Sequence, residues 1–87
     1  MVIEMYINVT RLKDIRKDRD LSQKDIAKIL GTSQVQYSRY EMGIRLLPID
    51  KLVILANYYN ISTDYLLGLT NERKPYPKAK IKMLKNQ

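Results

Sequence analysis

Gln34, Val35, Gln36 and Arg39 stand together on a short stretch bounded by Gly31 and Gly43. Their side chains match the edges of nucleic-acid bases. A glutamine amide donates and accepts at once and can pair with N6 and N7 of adenine, an arginine fork fits O6 and N7 of guanine, and a valine suits the methyl group of thymine. On an arbitrary helix the same residues would only be a solvated face, and Arg39 would pair weakly with a surface acid, an interaction of ~0.2–1 kcal/mol. Which reading holds depends on whether the surrounding sequence presents this stretch as a helix with one face outward.

Other reactive side chains are scarce. The 87 residues include no cysteine and no histidine. That removes disulfides, the commonest zinc ligands, and the usual nucleophiles and general bases. No catalytic constellation remains, so neither an enzyme nor a metal or cofactor is expected, and no small-molecule ligand is evident. No apolar run reaches the eighteen or so residues of a membrane span. Residues 1–7 are apolar, but Glu4 and the missing basic lead do not suit a signal peptide. The expectation is a cytoplasmic protein with no membrane partner.

Net charge is +7, which suits a polyanionic partner. Its distribution is uneven. Residues 71–87 carry six basic residues (Arg73, Lys74, Lys78, Lys80, Lys82, Lys85) against Glu72, for +5, and residues 1–70 carry only +2. Charge alone therefore fits either a tail drawn to phosphates or a merely solvated tail.

The elements that would position the polar stretch are marked by their ends. Residues 1–9 alternate loosely, as a short extended arm would. Thr10 can cap a first helix whose inner face holds Leu12 and Ile15, and Asp20 suits a left-handed exit. Ser22 with Asp25 has the spacing of a capping box, and Leu21 with Ile26 that of a hydrophobic staple. Ile26, Ala27 and Leu30 then form an inner face up to the stop at Gly31. A third helix starts at Thr32 or Ser33 and ends before Gly43, with Tyr37 and Tyr40 turned inward. Pro48 suits the first turn of a fourth helix, with Leu52, Leu55, Ala56 and Tyr59 inside and Asn60 as its left-handed exit. Ser62 caps a short fifth helix carrying Tyr65, Leu66 and Leu67, closed by Gly68. Beyond Asn71 the composition turns to lysine, proline and tyrosine, which reads as a tail extended near Pro75 and Pro77; residues 80–84 could add a last turn.

This order predicts an all-α, compact five-helix domain over residues 10–70, flanked by the arm at 1–9 and a basic tail at 71–87. Its second and third helices are joined by about three residues and must meet steeply, as in a helix-turn-helix. In that arrangement the second of the pair, here residues 32–41, fits its outer face into a major groove. The polar stretch thus lies on the helix that would read sequence.

The segments Leu21-Ser22-Gln23-Lys24-Asp25-Ile26-Ala27, Gly31-Thr32-Ser33 and Ser38-Arg39-Tyr40-Glu41-Met42-Gly43 resemble the Cro and phage-repressor-like helix-turn-helix family, of the xenobiotic-response-element type. The likeness extends through Pro48 and residues 52–56 to residues 61–67, covering roughly residues 10–68 in order and spacing. It implies a lambda-repressor-like fold and a transcriptional regulator, a repressor before an activator, binding a palindromic double-stranded DNA operator as a homodimer. It further implies base contacts from Gln34, Val35 and Arg39, and backbone contacts from Ser22, Gln23, Ser33 and Gln36, with Gln23 also bracing the recognition helix. Met42 and Ile44 are apolar where the family commonly places polar or basic residues, which leaves Arg45 as the phosphate contact after the recognition helix. Arg16 and Glu41 are implied to form a structural salt bridge between the first and third helices. The dimer contact is implied near the fifth helix, around residues 65–69, with the tail or the N-terminal arm as further candidates. A second reading is a protein-interaction or antitoxin-like module that docks a partner through Met42, Ile44, Leu46 and Leu47. The chain leaves no room for a separate effector-binding domain, so any signal is expected to come from elsewhere.

Overall fold

The computed structural model describes residues 10–79. The extended arm expected over residues 1–9 and the last turn considered at 80–84 lie outside the described residues. Five helices follow in order: α1 (Thr10–Asp18), α2 (Gln23–Leu30), α3 (Gln34–Glu41), α4 (Ile49–Tyr59) and α5 (Thr63–Leu66). The described residues contain no strand, and none of their helices is long and apolar enough to cross a membrane.

The helix ends are set by local chemistry. The Ser22 hydroxyl accepts the Asp25 N–H, and the Asp25 carboxylate accepts the Ser22 N–H, closing a capping box at α2. Ser33 and Ser62 cap α3 and α5 by accepting the N–H groups of Gln36 and Tyr65. Asp20 and Asn60 take left-handed exits with φ of 56° and 58°, where an asparagine or aspartate side chain tolerates what most residues resist. Other expected ends differ: α3 starts at Gln34 behind its Ser33 cap rather than at Thr32, and α5 stops at Leu66 with Leu67 as its C-cap residue. Thr10 is already helical rather than a cap. Pro48 precedes α4 as its N-cap residue, extended and without a side-chain hydrogen bond, so the first turn begins one residue later.

The packing follows the inner faces. α3 lies against α2 and α1, α2 also meets α4, and α5 packs on α4 and α1. The core holds Leu12, Ile15, Ile26, Ala27, Leu30, Tyr37, Tyr40, Leu55, Ala56, Tyr59, Ile61 and Leu66, with Leu21, Leu47, Leu52 and Tyr65 packed against its rim. Tyr37 and Tyr59 are its largest wholly buried side chains. Their rings supply apolar contact, but neither hydroxyl has a hydrogen-bond partner among the described residues. Burial raises both phenols; Tyr59 is pushed up to about 12.

The composition break at Asn71 is not a break in contacts. The Ser62 N–H donates to the Arg73 carbonyl (2.8 Å), and the Ser62 hydroxyl donates to the Glu72 carbonyl (3.1 Å). The chain is therefore tied to α5 past the point where its composition changes.

Candidate nucleic-acid interface

The α2–α3 connection is the three residues Gly31, Thr32 and Ser33. Gly31 adopts φ 70° and donates its N–H back to the end of α2, and the Thr32 N–H returns to Ala27 O. A Cβ built on Gly31 would meet nothing. The constraint is backbone strain, which disfavours a left-handed L-residue by roughly 1–2 kcal/mol. This tight reversal fixes where α3 leaves α2.

α3 is anchored from below by charge as well as by tyrosines. Arg16 Nε lies 2.6 Å from Glu41 Oε2, and Arg16 Nη2 donates to Glu41 Oε1 at 3.1 Å, a bidentate pair between two buried residues. Arg16 Nη1 donates to the Leu21 carbonyl (2.9 Å), and Gln23 Nε2 donates to Glu41 Oε1 (3.0 Å). One carboxylate thus gathers α1, the entry to α2 and the end of α3. Burial works to raise the Glu41 carboxyl, but the hydrogen bonds from Arg16 and Gln23 outweigh it and hold it below the ordinary carboxylate range. The Tyr37 hydroxyl lies beside the same carboxylate without hydrogen-bonding geometry.

The opposite side of α3 is open. Gln34, Val35 and Arg39 are exposed, Val35 to 62%. Arg39 pairs with no acid among the described residues, so the weak surface ion pair is not what occupies it. Gln34, Val35, Ser38, Arg39 and Met42 line a shallow open depression with Gln23 on its α2 side. The depression brings together four of the residues singled out in the sequence. It adds Ser38 and Met42, which the base-edge argument left aside. Ser38 follows Gln34 and Val35 by four and three positions, so helical spacing alone could have found it.

The remaining candidates are placed differently. Gln36 is half-buried, and its amide donates to the Tyr40 hydroxyl at 3.3 Å, which turns it along the helix. Ser22 and Ser33 are exposed, with their oxygens already accepting cap N–H groups; their hydroxyl protons remain available to an acceptor. Asp25 sits in the first turn of α2 with its carboxyl held low by the Ser22 hydrogen bonds, a negative charge beside the place where a phosphate was expected. Arg45 is exposed in the α3–α4 connection. Its N–H and that of Ile44 both return to the Arg39 carbonyl, so it stays close to the end of α3.

A helix-turn-helix family model matches residues 12–66. Among relatives, the HTH-type transcriptional regulator YobD of Bacillus subtilis is 43% identical over 86% of this chain and 65% of its own length. AnsR of the same species, also an HTH-type transcriptional regulator, is 32% identical over 84% of the chain and 63% of its own. The chain thus spans just under two thirds of these relatives. Among solved structures, a transcriptional regulator from Listeria innocua superposes with TM-score 0.67 and 26% identity, covering 90% of this chain and 68% of the other. The P22 c2 repressor, solved in complex with a synthetic operator, superposes with TM-score 0.66 and 26% identity over 74% of this chain and 97% of the repressor. With the buried anchor beneath α3 and the open polar face above it, the chain belongs to the Cro/C1-type helix-turn-helix family of transcriptional regulators, with a lambda-repressor-like fold.

Proposed function

We propose that this chain binds double-stranded DNA sequence-specifically by laying α3 in the major groove, and that it represses transcription as a dimer on a palindromic operator by occluding polymerase. The observation that carries the reading is the exposed depression of Gln34, Val35, Ser38 and Arg39, backed by the buried Arg16–Glu41 pair. A helix held this rigidly can offer amide and guanidinium groups to base edges without first being ordered. Gln23 borders the depression from α2, where it can reach the DNA backbone while its amide braces Glu41. Ser22, Ser33 and Arg45 supply further donors toward phosphates; Gln36 would have to leave Tyr40 to join them. Two recognition helices about 34 Å apart would meet successive major grooves on one face of the duplex. Such a protein would work where the chromosome is, in the cytoplasm.

Selection of bound duplexes from a random pool tests this directly, since it reports the bases read, their symmetry and the half-site spacing. Gln34→Ala and Arg39→Ala should each relax preference at one position, at a cost of about 1–3 kcal/mol. Selections indistinguishable from wild type for both variants would remove α3 as the reading helix. Affinity should also fall steeply with salt, as counterions released by each neutralised phosphate require.

One observation favours a second reading. Met42, Ile44 and Leu46 are exposed to 61%, 66% and 81%. A relative named antitoxin PezA, of Streptococcus pneumoniae, is 33% identical over 66% of the chain and 36% of its own length. These residues would then dock a partner protein. Failure to bind random duplex DNA at low salt would favour this module over the regulator.

A further inference from the structure

The family match begins at residue 12 and ends at residue 66, yet the segments just outside it are joined to each other. Arg11, on α1, donates from Nη1 to the carbonyls of Tyr65 (2.8 Å) and Thr70 (3.0 Å), and from Nη2 to Asn71 Oδ1 (3.0 Å). Its guanidinium lies 4.0 Å from the centre of the Tyr65 ring, and that of Arg73 lies 5.0 Å from the same ring. Beyond Asn71 the chain continues across α5 as an extended strap. The Glu72 and Arg73 carbonyls accept from Ser62. The Tyr76 hydroxyl reaches Asp64 Oδ2 at 3.3 Å, and Lys78 Nζ reaches Asn57 Oδ1 at 3.2 Å.

We propose that residues 70–78 are a releasable latch, closed by Arg11, that opens and shuts over α5 without disturbing α2 and α3. Three features support separate opening. The strap's contacts are mostly hydrogen bonds at exposed or half-exposed positions rather than buried apolar contacts, and such segments open well below the global unfolding free energy. Arg11 contributes two of those bonds, to Thr70 and Asn71, and a third that ties it to Tyr65 on α5; charge-assisted bonds are the stronger kind. The strap touches α1, α4 and α5, and among the described residues none of its hydrogen bonds reaches α2 or α3. Opening exposes the Ser62 N–H and hydroxyl, the Asp64 carboxylate and the Tyr65 ring together. The domain would then have two surfaces at this end and one unchanged reading face. The inference goes beyond the DNA-binding reading and does not rest on it.

The test is amide hydrogen exchange by NMR on the full chain. The Ser62 amide, which donates to Arg73 O, reports the latch. The Ile26 and Tyr37 amides, donating to Ser22 O and Ser33 O, report α2 and α3. In Arg11→Ala, Ser62 exchange should accelerate roughly tenfold or more and run well ahead of Ile26 and Tyr37, which accelerate by no more than the roughly fivefold that a global loss near 1 kcal/mol allows. Arg11→Lys, which keeps the charge but not the fork, should fall between the two. Ser62 exchanging no faster than Ile26 and Tyr37 in this variant, or unaccelerated, would overturn the proposal. Should Arg11→Ala fail to fold, the wild-type chain in dilute urea decides: Ser62 exchanging ahead of Ile26 and Tyr37 supports the latch, and all three exchanging together overturns it.

Discussion

Arg16 and Arg11 share one helix and make comparable numbers of hydrogen bonds, but they hold different parts of the molecule in different surroundings. Arg16 is buried and meets a buried carboxylate in a bidentate pair that fixes the end of α3. Arg11 is half-exposed and meets neutral oxygens that close the strap over α5. Removing a partner from the first arrangement leaves an uncompensated charge in the interior. Removing Arg11 returns carbonyls to water, which hydrates them. Burial and the charge of the partner, rather than the count of bonds, set what each arginine contributes.

The largest effect should therefore come from Arg16→Ala. Loss of one member of a buried pair costs about 3–5 kcal/mol, which for a domain of this size lowers Tm by roughly 12 °C or more. Base preference in whatever remains folded should be unchanged. Unchanged melting by calorimetry would mean that the pair does not anchor α3.

Acid sharpens the same contrast. Glu41 is held below its ordinary value of 4.5 in the folded chain. A depressed carboxyl contributes stability above its unfolded pKa, and that contribution is lost as pH falls through the folded pKa. Glu41→Gln should thus be less stable than wild type near neutrality, with a shallower loss of Tm below about pH 4.5. Parallel acid limbs in urea titrations of the two proteins would count against this account of Glu41.

Arg11→Ala should lower Tm by only about 4–8 °C, near 1 kcal/mol, because the global loss is capped by the free energy of closing the strap. A fall as large as that of Arg16→Ala would erase the distinction drawn between the two arginines. Smallest is Tyr59→Phe. Its hydroxyl is buried without a partner among the described residues, so deleting it should leave Tm unchanged or slightly raised. A clear drop in thermal denaturation would show that the hydroxyl is satisfied.

Much of the scaffold was legible in the sequence because its signals are local. Ser22 with Asp25, Gly31, Asn60 and Ser62 announce helix ends through bonds spanning three or four residues. Tyr37 and Tyr40 show which side of α3 faces inward by spacing alone. What was not legible depends on contacts between distant segments. That Gln23 braces α3 was implied by the family resemblance, but nothing about the residue on its own says that its amide will meet Glu41. Nor does the lysine- and proline-rich stretch after Asn71 say that its carbonyls will satisfy Ser62, since main-chain acceptors leave no trace in composition. The engagement of Gln36 with Tyr40 is a borderline case, local in spacing but hidden by the similarity of Gln36 to its exposed neighbour Gln34.

The two sides of α3 share no residue: Tyr37, Tyr40 and Glu41 are buried, while Gln34, Val35 and Arg39 point outward. On the proposed DNA-binding reading, such a helix would behave as an exchangeable cassette. Replacing the outward set alone, with the inward set and the Gly31 turn retained, should yield proteins that keep this stability but answer to different operators. The buried carboxylate would then be the part of the molecule that its reading specificity can drift around without unfolding it.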